Sequence, residues 1–335
     1  MEKIRLKGQK LTYSPTPKHT FDYDLTDVTS YVEKQSKEIL TDLTLSSELI
    51  SKFNLMENVK GSEEIKLLES NPTLQAATAC GRTPSGGVVF MQETVMTKRV
   101  KMEEIYCNED LNSKWTQLYN RAGANRQDEE QPEFADIMIA YYRQKAMKRT
   151  QDLVILGDTA SGDANLAHID GLVKLWENDA DLNVIGTAET EFTASNAFDL
   201  AIKCHEGIPE VLLDNEVDVE IWVGREVYRK IINNVYNDNN FHYTIEEETG
   251  AMPSFILPTT NMRVRSIPQF TGTNNMYAVP YEYVFFGTDL SNDVDGFEFR
   301  YSTYKDELYF GTKWRVGVNY VFPEYFTRLK LTPTS

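Results

Sequence analysis

Apolar residues recur at the spacing of an amphipathic helix in two long segments of the first half of the chain. The first is LTDVTSYVEKQSKEILTDL, and its pattern continues through SSELISKFNL. The second, QPEFADIMIAYYRQKAMKRTQDLVIL, opens with acidic residues and Pro132, which favour a first helical turn. We predict an N-terminal helix and then a helix of about 23 residues, or about 35 Å, that ends at Gly157. The residues expected on the apolar faces are Val28, Tyr31, Val32, Ile39 and Leu43, then Phe134, Ile137, Met138 and Tyr141.

Between these helices, from Val59 onward, the sequence becomes rich in β-forming residues. IKLLES comes before a cluster of turn residues, GRTPSGG, and VVFMQETVMTKRVKM comes after it. This arrangement predicts one long hairpin from about residue 60 to residue 104. Its second limb carries Lys98, Arg99 and Lys101, so we expect a basic stretch near the base of the hairpin.

The second half of the chain alternates between short helices and strands. A helix is expected from Ser195, a good N-cap, to Gly207, followed by the strand VDVEIWVG and the helix REVYRKIINNVY. MRVRSIP, MYAVP and YVFFG then predict short strands. Near the C-terminus a period of two predicts a long strand with one buried face, with FEFRYSTY as its antiparallel partner. The residues expected on that face are Leu308, Phe310, Thr312, Trp314, Val316, Val318, Tyr320 and Phe322.

Composition indicates a folded, acidic protein. The 335 residues are 41% hydrophobic and 11% aromatic, which is enough for a substantial core, and the net charge is −17. An acidic surface disfavours a broad phosphate-binding groove. The first twenty residues differ from the rest, because they contain five basic side chains and a single acidic one, Glu2. This basic arm is a candidate for docking onto a neighbouring copy. Neither a signal peptide nor a membrane-spanning run is recognisable, so we expect a cytosolic place of synthesis.

Motifs for catalysis or for metal binding are incomplete in this sequence. The stretch LVILGDTASGDANLAHIDGL and the cluster GRTPSGG both lack the lysine and hydroxyl pair of a phosphate-binding loop. Three cysteines without CxxC spacing argue against a disulfide framework and a thiolate metal site. Cys204 and His205 are adjacent on a predicted helix and therefore point in different directions. NDADLN and SNDVDG resemble parts of calcium loops, but each lacks a required residue.

The order of elements resembles that of the major capsid proteins of tailed bacteriophages with the Hong Kong 97-type fold. VVFMQETVMTKRVKMEEIYCNEDL resembles the return limb of the family's extended E-loop, and EFADIMIAYYRQKAMKRTQDLVILGD resembles its spine helix followed by a Gly-Asp turn. HIDGL resembles the family's "GL" after that turn. VDVEIWVGREVYRKI and the run from RSIPQF to YVFFGTDL are similar to parts of its axial domain.

The resemblance implies an α+β fold with an N-terminal arm and helix at residues 1–58 and an E-loop at 59–104. A discontinuous peripheral domain would take residues 105–178 and 291–335, and an axial domain 179–290. It implies a structural protein with no catalytic, cofactor or metal site. Copies would form the hexamers and pentamers of an icosahedral shell around double-stranded DNA. The further partners implied are a portal and a separate scaffolding protein, since the first helix begins too soon for a fused scaffold.

The contacts expected between subunits involve charged residues of the arm and the hairpin. In the hypothesis, the basic stretch of the hairpin lies near an acidic patch of a neighbour. The residues are Lys3, Arg5, Lys7, Lys10, Arg82, Lys98, Arg99 and Lys101, with Asp128, Glu129 and Glu130 as the acidic patch. Two alternatives remain open. One is an encapsulin-like nanocompartment shell, and the other is a soluble α+β enzyme that uses Asp179 and Asp181, or Asp293 and Asp295, as an ion site.

Overall fold

The computed structural model describes residues 48–72, 86–107, 132–238, 247–248, 252–257, 260, 262–289, 298–302, 305 and 307–332. Five α-helices lie in these ranges: α1 (Pro132–Leu156), α2 (Leu172–Asn178), α3 (Ala197–Glu206), α4 (Glu210–Asp214) and α5 (Arg225–Asp238). Most of the N-terminal helix predicted from about residue 25 lies outside the described residues. Its predicted continuation through SSELISKFNL was wrong, because Ile50–Lys52 form a single 3-10 turn and Asn54–Met56 form a strand. Within them, no helix is both long and apolar enough to cross a membrane.

Fourteen strands lie in the described ranges. They are β1 (Asn54–Met56), β2 (Ser62–Pro72), β3 (Gly86–Met96), β4 (Lys98–Cys107), β5 (Asn183–Gly186), β6 (Val219–Val223), β7 (Glu247–Glu248), β8 (Ser254–Ile256), β9 (Arg263–Ser266), β10 (Met276–Pro280), β11 (Val284–Gly287), β12 (Glu298–Ser302), β13 (Glu307–Tyr320) and β14 (Thr327–Lys330). The predicted helices after Ser195 and after Gly224 and the predicted short strands are therefore confirmed, with small shifts at their ends.

A seven-stranded mixed sheet forms one part of the protein, in the order β5-β14-β10-β6-β9-β8-β7. Its central strand β6 is buried along its whole length. Val219, Ile221 and Val223 point into a core shared with α3 and α5, while Trp222 points into a second core on the other face. A strand with two buried faces explains why five consecutive residues are shielded from solvent.

The second core lies between α1 and a five-stranded sheet centred on β13. β13 pairs antiparallel with β4, β11 and β12, as the predicted partnership with FEFRYSTY required. Phe310 stacks on Tyr142 of α1, with the two ring centroids 3.8 Å apart. The prediction for Phe322 was wrong: the strand ends at Tyr320, and Phe322 takes a left-handed backbone with φ of 54°.

The long helix α1 ends in a buried turn that the following loop contacts. Leu153, Val154 and Ile155 are all buried, and the loop that follows returns to them at Gly171. The Gly171 N–H donates to the Gly157 carbonyl over 2.8 Å. A Cβ on Gly157 would lie 2.6 Å from the Ile169 carbonyl oxygen, and one on Gly171 would lie 2.6 Å from the Gly157 nitrogen, so the two chain segments approach closely only because both residues are glycine.

Charged side chains close the same loop. Lys174 of α2 forms ion pairs with Asp158 and with Asp170, the latter over 2.9 Å. Thr159 donates to Asp170 from both its N–H and its hydroxyl. Partial burial opposes the ionisation of Asp170, but these hydrogen bonds outweigh it and lower its pKa to about 2. Residues 157–171 thus form a structural loop, which is held by its own polar groups and by Lys174 of α2.

Candidate functional site

The hairpin of β2 and β3 is the first part of the candidate functional site. Each strand has eleven residues, and in the described part of the chain the two pair only with each other. Strands of this length extend about 35 Å, and an isolated two-stranded ribbon is marginally stable in water. The side chains of Glu63, Glu64 and Glu93 near its base are exposed.

The base of this hairpin is fixed firmly to the rest of the protein. Ile65 and Val95 form a small buried cluster with Val321. The Thr97 hydroxyl donates to the Val59 carbonyl over 2.8 Å, and Asn319 donates from Nδ2 to the Thr94 carbonyl over 2.9 Å. These contacts fix the direction in which the hairpin leaves the sheet.

Two strand glycines make this attachment sterically feasible. A Cβ on Gly317 would lie 2.3 Å from the Met96 carbonyl oxygen, and one on Gly287 would lie 2.8 Å from Val95 Cγ1. Both distances are shorter than a normal contact, so a side chain at either position would push the hairpin base away. The two glycines therefore let β3 pack directly across β11 and β13.

The predicted basic stretch does not belong to the hairpin, which corrects the expected base at residue 104. The limb ends at Met96, Thr97 interrupts the strand, and β4 then enters the five-stranded sheet beside β13. Lys98, Arg99 and Lys101 thus lie on β4, where all three are exposed. Lys98 is on the face of Val100, whose side chain is buried toward α1, whereas Arg99 and Lys101 are on the opposite, outward face.

On that outward face, two cations of β13 lie directly opposite those of β4. Arg99 pairs in register with Arg315, and Lys101 pairs with Lys313. We call these four residues the basic ribbon. Sequence reasoning missed Lys313 and Arg315 because they are more than two hundred positions away from β4; the alternation along β13 was the available signal, since it places both side chains outward. The other predicted contact residues, Lys3, Arg5, Lys7, Lys10, Arg82, Asp128, Glu129 and Glu130, lie outside the described residues.

A buried charge network joins residues 48–53 to the seven-stranded sheet. Glu220 of β6 is almost fully buried and accepts hydrogen bonds from Arg265 Nε over 2.6 Å and from the Tyr281 hydroxyl over 2.5 Å. Lys52 also donates to Glu220, and Arg265 reaches Glu48. Burial opposes the charge on Glu220, but the hydrogen bonds from Arg265, Lys52 and Tyr281 keep its pKa below the ordinary value.

Two of the residues considered for catalysis or ion binding, Cys204 and Asp179, are held in place by packing or by hydrogen bonds within the chain. Cys204 is completely buried, and burial raises its pKa to about 12, so the thiol is not poised as a nucleophile. Asp179 accepts a hydrogen bond from the Asp181 N–H and another from the Tyr320 hydroxyl over 2.7 Å. In the described part of the chain, no three His, Cys, Asp or Glu side chains come together as a metal site. Asp293 and Asp295 lie outside it.

Comparison with solved structures identifies the architecture. A chain from the satellite phage P4 procapsid, solved with its size determination (Sid) protein, superposes with a TM-score of 0.57 at 11% identity, over 88% of this chain and 99% of that chain. The capsid of an empty GTA particle gives 0.53 at 11% identity, over 87% and 90%. A structure of Microbacterium phage Oxtober96 gives 0.51 at 13% identity, over 85% and 91%.

The chain has the phage capsid fold. The predicted α+β architecture of Hong Kong 97 type is thereby confirmed at the level of the fold. No model of a known protein family and no curated protein matches the sequence. Only about one residue in nine is identical between this chain and the P4 procapsid chain. The likeness therefore lies in the arrangement of helices and sheets and not in shared motifs.

Proposed function

We propose that this protein is a structural subunit of a capsid shell. The observation that carries the proposal is the end-to-end likeness of its fold to chains of phage and GTA particles, over 85–88% of this chain and 90–99% of theirs. A hairpin whose two strands pair, among the described strands, only with each other supports the same proposal, because such a ribbon needs another subunit to cover it. We assign the protein a structural role and no catalytic one.

In this proposal, copies assemble as hexamers and pentamers of a closed icosahedral shell that encloses double-stranded DNA. The net charge of −17 supports this role, because an acidic shell would not trap the polyanion during packaging. A portal and a separate scaffolding protein would act as partners. The shell would assemble in the host cytoplasm and become part of the virion.

The proposal divides the chain into four parts. The arm and first helix take residues 1–58. The E-loop takes 59–104, of which the hairpin ends at Met96 and the remainder begins β4. The peripheral domain takes 105–178 and 291–335, and the axial domain 179–290. The hairpin lies over an adjacent subunit, and the basic arm docks on a neighbour through Lys3, Arg5, Lys7 and Lys10. Arg82, which lies in the sequence between β2 and β3, and the basic residues of β4 add further contacts between subunits.

A shortened hairpin tests the proposed role of its limbs. Replacement of residues 67–91 by Asn-Gly joins Lys66 to Gln92, which are paired in register, through a two-residue turn. It keeps the buried cluster of Ile65, Val95 and Val321 and removes Leu67 from its edge. Purified wild-type chain is expected to form shells, tubes or capsomer rings in negative-stain electron microscopy and light scattering. The shortened chain is expected to stay folded and to form none.

The same preparation separates the alternatives. A wild-type chain that stays a compact monomer under all assembly conditions contradicts the proposal. Shells that hold a cargo protein in place of DNA would instead support a nanocompartment.

A further inference from the structure

Helix α5 exposes two arginines that have no acidic partner within the described part of the chain. Arg225 and Arg229 are both exposed, and neither guanidinium forms an ion pair or a hydrogen bond there. Edge protection accounts for the basic ribbon of β4 and β13, but it does not apply to cations on a helix. The two arginines lie one turn apart among the first five residues of α5, where their mutual repulsion and the helix dipole both disfavour them. Folding of the chain therefore does not explain them.

The two arginines share one side of α5 with apolar residues. At about 100° per residue, Ile232 and Tyr236 fall within about 60° of them around the helix, and the whole row extends about 17 Å along the axis. Tyr236 is 58% exposed. Glu226, the acidic residue of the first turn, lies about 60–100° away from the arginines around the helix. We call Arg225, Arg229, Ile232 and Tyr236 the basic face.

The short helix α4 carries a surface of the opposite charge. Leu212 is buried, and on the side away from it the exposed residues Glu210 and Asp214 lie four positions apart. Val211 and Leu213 flank this carboxylate pair and are 53% and 40% exposed. Neither carboxylate has a cationic partner in the described residues, and like charges at this spacing destabilise a helix. The acidic pair of α4 is thus as unexplained by folding as the basic pair of α5.

Within one copy, the two surfaces lie toward opposite edges of the seven-stranded sheet. α3 and α5 pack side by side, α3 over β10 and β14 and α5 over β9. Asn234 of α5 accepts from the Phe198 N–H of α3 over 3.2 Å, and the basic face lies about 140–180° around the helix from Asn234. α4 follows the other end of α3, where Asn183 of the edge strand β5 donates to the Gly207 carbonyl over 2.6 Å. The basic face therefore looks away from α3 and from α4.

We propose that the basic face of α5 binds α4 of a second copy of this chain, with Arg225 and Arg229 against Glu210 and Asp214. Both charge pairs have the same spacing of four helical positions, about 6 Å, so two guanidinium groups can meet two carboxylates at once. The exposed valine and leucine of α4 then cover Tyr236 and the visible part of the isoleucine beside it.

This inference rests on the proposed shell function and refines it. Because each copy uses a different surface on either side, the contact is head-to-tail, and repetition of such a contact closes into a ring when the rotation allows it. Pentamers and hexamers are rings of this kind. Charge complementarity and the matched exposed apolar residues identify a second copy as the occupant.

A protein partner fits the basic face better than DNA does. Duplex DNA is bound by long basic stripes, whereas this face has two cations in a chain with a net charge of −17. An exposed tyrosine beside arginines is typical of the residues that dominate protein interfaces.

The test is a charge-exchange series in the full-length chain. Arg225→Glu with Arg229→Glu puts acidic residues near the start of α5, so the unassembled variant should unfold at or above the wild-type temperature. Its assembly should nevertheless need a roughly tenfold higher protein concentration, measured by light scattering over a sodium chloride series. Adding Glu210→Arg and Asp214→Arg exchanges the two charge pairs and should restore assembly. Glu226→Gln, on the same helix but off the basic face, is the matched control and should assemble as the wild type does.

The outcomes separate this inference from the proposed function. A wild-type chain that forms no particles contradicts the shell function itself. Wild-type particles together with normal assembly of the reversed α5 variant contradict the inference alone. So does a failure of the exchanged charges to restore assembly, or a loss of packaged DNA with assembly unchanged. For a reversed variant that does not fold, Arg225→Gln with Arg229→Gln gives the same comparison without added negative charge.

Discussion

Removal of the Glu220 carboxylate alone should destabilise the protein strongly. Arg265 has a side chain only 3% exposed, and in the Glu220→Met variant it would keep Glu48, a residue that is itself half exposed, as its remaining carboxylate partner. Breaking a buried ion pair on one side costs about 3–5 kcal/mol, because a desolvated charge is left behind. We expect a loss of that size in the free energy of unfolding, measured by urea denaturation of the unassembled chain.

The double variant Glu220→Met with Arg265→Met distinguishes a buried charge from a general packing defect. Both desolvated charges are gone in this variant, and Lys52, whose side chain is 27% exposed, can turn to solvent. Its stability should lie within about 1–2 kcal/mol of the wild type.

An exposed pair provides the control for the same experiment. Glu177 accepts from Arg328 over 2.7 Å but is 44% exposed, so Glu177→Gln should cost less than about 1 kcal/mol. A Glu220→Met loss as small as that of the control, or a double variant as unstable as the sum of its single variants, would refute the reasoning.

Three further predictions concern the attachment of the hairpin, the loop after α1 and the anchoring of that helix. Gly317→Ala should destabilise the chain by about 1–3 kcal/mol in urea, because its Cβ meets the Met96 carbonyl oxygen, whereas Gly186→Ala, with open space around it, should change little. Asp170 has a folded pKa of about 2 against an ordinary value of 3.8, so its stabilising effect is complete above about pH 4 and is lost as the pH falls toward 2. In the Asp170→Asn variant, the free energy of unfolding should therefore depend less on pH between 4 and 2. Tyr142→Phe keeps the ring stack but loses the 2.6 Å bond to Glu104, and its thermal unfolding should show a cost of about 1–2 kcal/mol.

Elements with a strong local pattern were predictable from the sequence. The long helix α1 carried an acidic start and a glycine stop, and β13 carried an uninterrupted period of two, so both were found with nearly correct ends. The resemblance to capsid proteins rested on the order of such elements, and the structural comparison confirmed it at the level of the fold.

What the sequence concealed depends on contacts between distant residues. VVFMQETVMTKRVKM has continuous β-propensity, and the switch of sheets at Thr97 becomes visible only when Gly287 and Gly317 are placed against the hairpin base. Glu220 alternates with apolar residues in VDVEIWVG, a pattern typical of a strand with one solvent-exposed face. That face of β6 is buried instead, because residues near Lys52 cover it and Arg265 balances its charge.

The most direct test of the account is a cryo-electron-microscopy reconstruction of particles assembled from the purified chain. We expect a closed shell of pentamers and hexamers in which β2 and β3 of each copy lie across an adjacent copy. Particles in which the hairpin contacts only its own subunit would contradict the proposed assembly, and a chain that remains a monomer or small oligomer under every condition would contradict the shell function.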